Sequence, residues 1–572
     1  MEVKAPWLRF YGNTPAHLDY PDQSMCDLLE ETAAKHPDLV ACEFLGHQYR
    51  YPELVREVHR CAKALRALGV RPGDRVTICL PNTPQAVILF YALNRMGALC
   101  NMVHPLSSQG EIAFFLNTAQ SAVAVTLDRF WEKFEAVRAE TPLRTLIVTS
   151  IADGLTPLMR LGYTLTEGRK DPKLPRDADV LWWRDFLRGA DQYAAADWRS
   201  EQRGADPAAV LYSGGTTGTT KGILLTNLNF NALALQTAAA GDCIVPGHAM
   251  LSIMPMFHGF GLGIGIHTML VAGCKCILVP QFTVKTYAGL LRKHHPNYIA
   301  GVPTLFEALL RMKDIDDLDL SALEGVFSGG DSLSAELKHK VDAFLHAHGA
   351  TVQVREGYGT TECVTASCLT PKNDYREGSI GVPFPDTYYK ICAPNTHDEV
   401  PYGDLGEICI SGPSVMREYV GNEKETAQTL QLHADGRIWL HTGDLGSMDE
   451  DGFIYFKQRL KRVIISSGYN IYPSQLENII DAHPAVLMST VIGVHDDYRM
   501  QKPKAFVVLR PEYQPTDELK NSILEHCRRN IAKYAMPCEF EYRDSLPKTL
   551  VGKVAYTVLE KEEAARAAQP KN

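Results

Sequence analysis

Ser213-Gly214-Gly215-Thr216-Thr217-Gly218-Thr219-Thr220-Lys221-Gly222 is a loop without one apolar side chain. Glycine lets a backbone approach an anion closely and take up positive φ. The hydroxyls and free N–H groups donate hydrogen bonds, and Lys221 adds a full charge, so the loop suits a polyphosphate. It is not the G-x-x-x-x-G-K-[ST] P-loop, because no glycine directly precedes Lys221 and Gly222 follows it. Residues 208–212 read as a strand entering the loop and 223–226 as a strand leaving it, with helix only from about 227. On the loop alone, a flexible surface turn is an equal reading.

Outward from the loop, residues 212–222 resemble the phosphate loop of the adenylate-forming superfamily, which holds acyl-CoA synthetases, luciferases and peptide-synthetase adenylation domains. The family pattern is roughly [ST]-S-G-T-T-G-x-P-K-G. The chain departs from it at Gly214, where Ser is usual, and at Thr220, where Pro is usual. Both changes loosen the loop and keep its hydroxyls, glycines and lysine. The resemblance implies that Ser213, Gly215, Thr216, Thr217, Gly218, Thr219 and Lys221 hold the phosphates of ATP.

The chain has 572 residues, too many for one core, and a net charge of −9, which argues against nucleic acid as a partner. Its fourteen cysteines include no C-x-x-C, so free thiols in a reducing compartment are expected. The first residues carry no apolar run of signal-peptide length. Together these features predict a cytoplasmic protein. Residues 262–280 are apolar but glycine-rich and contain His267 and Lys275, which fits a buried helix and strand better than a membrane span.

Strands at 75–80, 99–103 and 122–127 alternate with helices at 52–68, 84–96 and 109–118. A second βα series runs from 227 to 356. This rhythm predicts α/β architecture with a parallel sheet and helices on both faces. Residues 151–202 interrupt it as a connector. Within them, 155–170 mixes Leu, Met and Tyr with Arg160, Arg169 and Lys170, so contact with a membrane surface is conceivable. Gly162 and Gly168 weaken a helix there, and a docked surface loop is the better reading. After 356 the pattern turns β-rich. From about 461 it reads as a small α+β unit with a polar tail. The expected organisation is a large N-terminal domain of βα layers with a β-rich subdomain, residues 1–460, and a small mobile C-terminal domain, residues 461–572.

Further motifs follow in the family's order. Gly357-Tyr358-Gly359-Thr360-Thr361-Glu362 comes after a strand, where open α/β folds bind ligands. Tyr358 can stack on a base, Thr361 can hold a phosphate oxygen, and Glu362 can ligate Mg²⁺ through oxygen. The segment resembles the superfamily's Y-G-x-T-E without departure. Gly329-Gly330-Asp331 matches the loop that lines adenine, with Asp331 in place of a small residue; Asp331 or Ser332 could equally cap the next helix. His441-Thr442-Gly443-Asp444 matches T-G-D, which implies that Asp444 accepts from ribose hydroxyls. Gln458 to Arg462 resembles the segment in which Arg459 contacts phosphate or ribose and Lys461 is the hinge between domains. Ser467, Gly468 and Tyr469 lie in a G-x-N-I-x-P-like stretch that the resemblance places beside the pantetheine arm of coenzyme A. Residues 547–553 resemble P-[KR]-T-x-x-G-K, whose last residue, here Lys553, is the catalytic lysine.

The resemblance implies two half-reactions: a carboxylate and ATP give acyl-AMP and pyrophosphate, then coenzyme A displaces AMP. Lys553, Thr361 and Glu362 would serve the first. In Met256-Phe257-His258-Gly259, His258 stands where amino-acid-activating members carry an Asp, so an amino acid is an unfavoured substrate. His258 reads either as a catalytic-site residue or as a core histidine. Gly261, Gly263 and Gly265 leave room for an apolar chain, so a fatty or fatty-acid-like carboxylate is the leading reading. An aryl-CoA ligase, an acyl-AMP ligase loading a carrier protein, and a non-catalytic scaffold are the rivals. Retention of Lys221, Glu362, Asp444 and Lys553 speaks against the scaffold. The sequence gives no oligomeric state.

Overall fold

The computed structural model describes residues 4–166, 168, 174–175, 178–193, 197–213, 220–466, 469–496, 499–533, 535–549 and 553–567. Two large sheets carry the N-terminal part. In the eight-stranded sheet, Leu99–Met102, Arg75–Cys79, Val123–Leu127 and Thr145–Thr149 are parallel neighbours, and nearly all their residues are buried. Runs of apolar residues without alternation are what a strand covered on both faces needs. The nine-stranded sheet runs parallel through Val354–Tyr358, Gly325–Ser328, Tyr298–Gly301, Ala249–Ser252 and Lys275–Leu278. Neither sheet is purely parallel, as the βα rhythm alone predicts. Strand Gly222–Thr226 returns antiparallel to Pro207–Tyr212, and Cys368–Leu369 pairs antiparallel with Val354–Tyr358. These two reversals each occur at a motif singled out in the sequence.

Helix Pro84–Arg95 is buried along all but its last residue. Its Asn94 accepts from the Cys26 N–H and donates to Asn227 Oδ1 at 2.6 Å, tying two other helices to it. Buried amides of this kind stay because every polar atom finds a partner. One apolar cluster runs from Met25 through this helix to Tyr419, so the core lies between the two sheets.

Strands Tyr388–Cys392, Gly406–Ser411, Ile438–Met448, Leu430–Leu432 and Ile454–Arg459 form a separate five-stranded antiparallel sheet. A second five-stranded sheet, built from Ile464–Ser466, Tyr469–Ile471, Val486–Asp496, Met500–Leu509 and Glu539–Tyr542, has its own core with helices Pro473–Asp481 and Asp517–Asn530. The polar tail expected at the end is instead a helix, Tyr556–Ala567, seated by buried Tyr556 and Leu559. Residues 157–165 are also helical rather than a docked loop. Pro157 sits in the first turn, Thr156 caps it, and Leu158 and Leu161 are exposed. Among the described residues no helix is long and apolar enough to cross a membrane. All fourteen cysteines are free thiols, twelve of them buried, so burial rather than pairing accounts for them.

Candidate active site

Residues 214–219, and with them Gly215, Thr216, Thr217, Gly218 and Thr219, lie outside the described residues, as do Ser467 and Gly468. The loop's two ends are described. Tyr212 pairs with Gly222, the Ser213 N–H donates to the Lys221 carbonyl at 3.2 Å, and the Lys221 N–H donates to Ser213 Oγ at 3.4 Å. Strands Pro207–Tyr212 and Gly222–Thr226 are thus paired up to the loop's two described ends. Lys221 forms an ion pair with Glu425, and its Nζ stands 4.8 Å over the Tyr419 ring. The Tyr419 hydroxyl donates to Glu362 Oε1 at 2.8 Å. A chain of contacts therefore joins the loop's lysine to the candidate metal ligand. Tyr419 and Glu425 carry no local signal that sequence reading could use. They arrive through strand Glu418–Tyr419, which pairs with Ile223–Leu224 nearly two hundred positions earlier in the chain.

Strand Val354–Tyr358 delivers Tyr358, whose hydroxyl donates to Asp444 Oδ2 at 2.6 Å. Asp444 sits opposite Arg459 in the neighbouring strand, with Arg459 Nε 3.2 Å from Oδ1. That Oδ1 is buried, and no hydrogen-bond geometry satisfies it. Burial raises the Asp444 carboxyl, against the pull of Arg459. A buried carboxylate oxygen without a donor suits a hydroxyl-bearing ligand. Gly443 has φ +68°, and its N–H donates to Glu407, which turns Asp444 inward. Gly359 is required for close approach: a Cβ there would stand 2.4 Å from the Thr365 carbonyl oxygen. Thr360 is buried and Thr361 opens a short 3₁₀ turn.

The small C-terminal unit brings Lys553 into this cleft. Its Cε lies 3.6 Å from where a Cβ on Gly330 would stand. Burial lowers the Lys553 pKa, while the carboxylates of Asp331, Asp444 and Glu362 pull it up. Asp331 faces the cleft and takes the Ser332 N–H at 3.0 Å. The protein around it raises its carboxyl, and Lys553 opposes that. Neither Asp331 nor Ser332 caps the next helix; Ser334 does, through its Oγ. His258 is pushed down to about 3 by burial and by the Lys553 charge. Its Nδ1 accepts from the Phe260 N–H at 3.2 Å, so the ring is neutral and its proton sits on Nε2. The structure thus brings Lys553, His258, Asp331, Glu362, Asp444 and Arg459 together. Lys461 lies outside the cleft, in the 3₁₀ turn Leu460–Arg462 between the two five-stranded sheets, and the Tyr469 backbone opens strand Tyr469–Ile471.

An apolar pocket is lined by Gly330, Gly357, Phe260, Met269, Phe327 and Phe384, and Gly330 is the residue that Lys553 approaches. Gly261 and Gly263 do not make its space. A Cβ on Gly261 would meet the Pro255 carbonyl oxygen at 2.2 Å, and one on Gly263 would meet Leu233 Cδ2 at 2.7 Å. They let the π-helix Phe260–Thr268 pack closely, and Phe260 and Ile264 of that helix line the pocket.

Comparison with known proteins agrees with this geometry. The AMP-binding enzyme family matches residues 29–420, and the AMP-binding enzyme C-terminal domain matches 475–553. A long-chain-fatty-acid–CoA ligase of Bacillus subtilis is 33% identical over 98% of this chain and 99% of its own. One from Escherichia coli is 31% identical over 96% and 97%. The crystal structure of ATP-bound MatB from Rhodopseudomonas palustris superimposes with a TM-score of 0.80 at 26% identity, covering 94% of this chain and 98% of that one. The chain belongs to the AMP-binding enzyme family, in its acyl-CoA synthetase branch.

Proposed function

We propose that this chain activates a fatty or fatty-acid-like carboxylic acid with ATP and transfers the acyl group to coenzyme A, releasing AMP and pyrophosphate. The observation that carries this is Lys553, a cation of the C-terminal unit whose Cε stands against Gly330, part of the apolar pocket's lining. The relatives' names support the fatty-acid reading. The substrate carboxylate needs no base, since it is ionised at neutral pH. Its oxygen attacks the α-phosphorus, the new C–O–P bond forms, and the bond to the β-phosphate oxygen breaks with pyrophosphate taking the electron pair. Lys553 would touch both the carboxylate and the phosphate, and a preorganised charge there stabilises the charge that develops. Asp444 and Tyr358 hold ribose and base, Lys221 the terminal phosphates, and Thr361 the α-phosphate. Glu362, one oxygen of which is held by Tyr419, fits a hard cation through the other. Mg²⁺ bound there would neutralise phosphate charge. His258, neutral, shapes the acyl entrance.

Residues 461–572 act as the mobile domain, turning about Lys461 so that coenzyme A reaches the acyl carbon past Ser467, Gly468 and Tyr469. The test is pyrophosphate release over a panel of carboxylates, with and without coenzyme A. Medium- and long-chain fatty acids should be turned over, with coenzyme A consumed in step with AMP. Preference for benzoates or coumarates would replace this reading with the aryl one. Adenylation without coenzyme A consumption would replace it with carrier-protein loading.

A further inference from the structure

The β-rich subdomain holds a second cluster of ligating side chains, well apart in role from the cleft. Strand Ile438–Met448 supplies His441, the turn before it supplies His433, and the loop after Tyr388–Cys392 supplies His397. One ligand atom from each lies within 4.8 Å of the other two. His441 Nδ1 is 2.9 Å from Glu407 Oε2. A carboxylate can only accept, so Nδ1 carries the proton and Nε2 presents a lone pair. That Nε2 accepts the Nε2 proton of His433 at 3.0 Å. His433 is buried, and its Nδ1 has no partner. The His397 ring stacks on His433 with centroids 4.1 Å apart, and His397 is exposed, so the cluster has a route to solvent.

The geometry points to a site for one divalent transition cation of the zinc class, held by His433 and His441 with His397 as third ligand and Glu407 behind His441. The two Nε2 atoms stand 3.0 Å apart and share one proton, and an ion about 2.0–2.1 Å from each nitrogen would take that proton's place. Imidazole suits zinc, copper and nickel rather than magnesium, so this ion is distinct from the one Glu362 would take. The Glu407–His441 contact is the carboxylate–histidine arrangement that fixes ring orientation in metal sites. Cys409 Sγ lies 3.5 Å from His441 on the Nδ1 side, away from the facing Nε2 atoms, and is not needed. Charge is favourable as well: Glu407 and Asp435 stand against Lys390, which pairs with Asp435.

The test uses the full chain stripped with a chelator and titrated with Co²⁺, read by visible absorption, with Zn²⁺ as competitor and bound metal counted after gel filtration. Wild type should take up one Co²⁺ per chain, displaced by Zn²⁺. His433→Ala should abolish uptake, and Glu407→Gln should weaken it about 10–100-fold. Should His433→Ala fail to fold, exposed His397→Ala decides, with weakened uptake and unchanged ATP–pyrophosphate exchange. No uptake by wild type, or equal uptake by wild type and the histidine variants, would overturn the site.

Discussion

Lys553 carries its ammonium into a place where burial disfavours it and Arg459 repels it, and three carboxylates hold the charge there. A surface lysine needs no such arrangement, but one that must meet developing phosphate charge does. Lys553→Ala should therefore lower ATP–pyrophosphate exchange by about 10²–10³ while leaving the urea unfolding midpoint unchanged; near-normal exchange in the folded variant would remove Lys553 from the chemistry. His258 makes the opposite prediction. With its proton affinity pushed down to about 3, it stays neutral at working pH. The rate of adenylation should then show no histidine limb between about pH 6 and 8, and His258→Gln should leave the profile's shape unchanged even where it lowers the rate. The same shift has a sign for stability: an unfolded chain protonates this histidine near about pH 6.5 and the native one does not. Its contribution is full above that pH and is lost as pH falls toward the native value. A profile whose acid limb vanishes in His258→Gln would make it a general base.

The π-helix Phe260–Thr268 and the strained turn it meets act as one element. Val364, β-branched, sits at φ +64° and ψ −58°, and its carbonyl oxygen would stand 1.7 Å from a Cβ on Gly259. Such a conformation persists only where its surroundings dictate it. Gly259→Ala should cost at least about 1–3 kcal/mol and lower acyl-adenylate formation, whereas Gly265→Ala, whose Cβ finds its nearest neighbour at 3.8 Å, should be tolerated; equal urea midpoints for the two variants would refute the packing argument. This element also shows where sequence reading stops. The glycine spacing was legible, but whether the room it makes goes to substrate or to another backbone depends on Val364 and Leu233, brought in from elsewhere. Tyr358, Glu362, Asp444 and Lys553 were legible because each lies in a short stretch that resembles a motif of the family. Tyr419 and Glu425 were not, because their role arises from a strand pairing across the chain. The final helix was misread as a tail because lysine, glutamate and alanine look like solvent-loving chain until Tyr556 and Leu559 are seen buried on one side.

At the scale of the molecule, the described orientation places Lys553 in the cleft, which suits the first half-reaction. A thiol reaching the same acyl carbon would meet Lys553 in its way, so we propose that the small domain turns for the second half-reaction. The proposed hinge, Lys461, lies in a 3₁₀ turn between the sheet that ends at Arg459 and the one that begins at Ile464. Hinges absorb such motion in a few backbone angles at the ends of elements. A 3₁₀ turn already has φ near about −60°, which is where proline is fixed. Lys461→Pro should therefore lock the orientation seen here rather than distort it. The decisive measurement follows the two half-reactions of Lys461→Pro separately, as ATP–pyrophosphate exchange with a fatty acid and as thioester formation from supplied acyl-AMP and coenzyme A. The predicted result is adenylation with a modest loss and thioester formation largely abolished. Equal slowing of both, or of neither, would contradict the account.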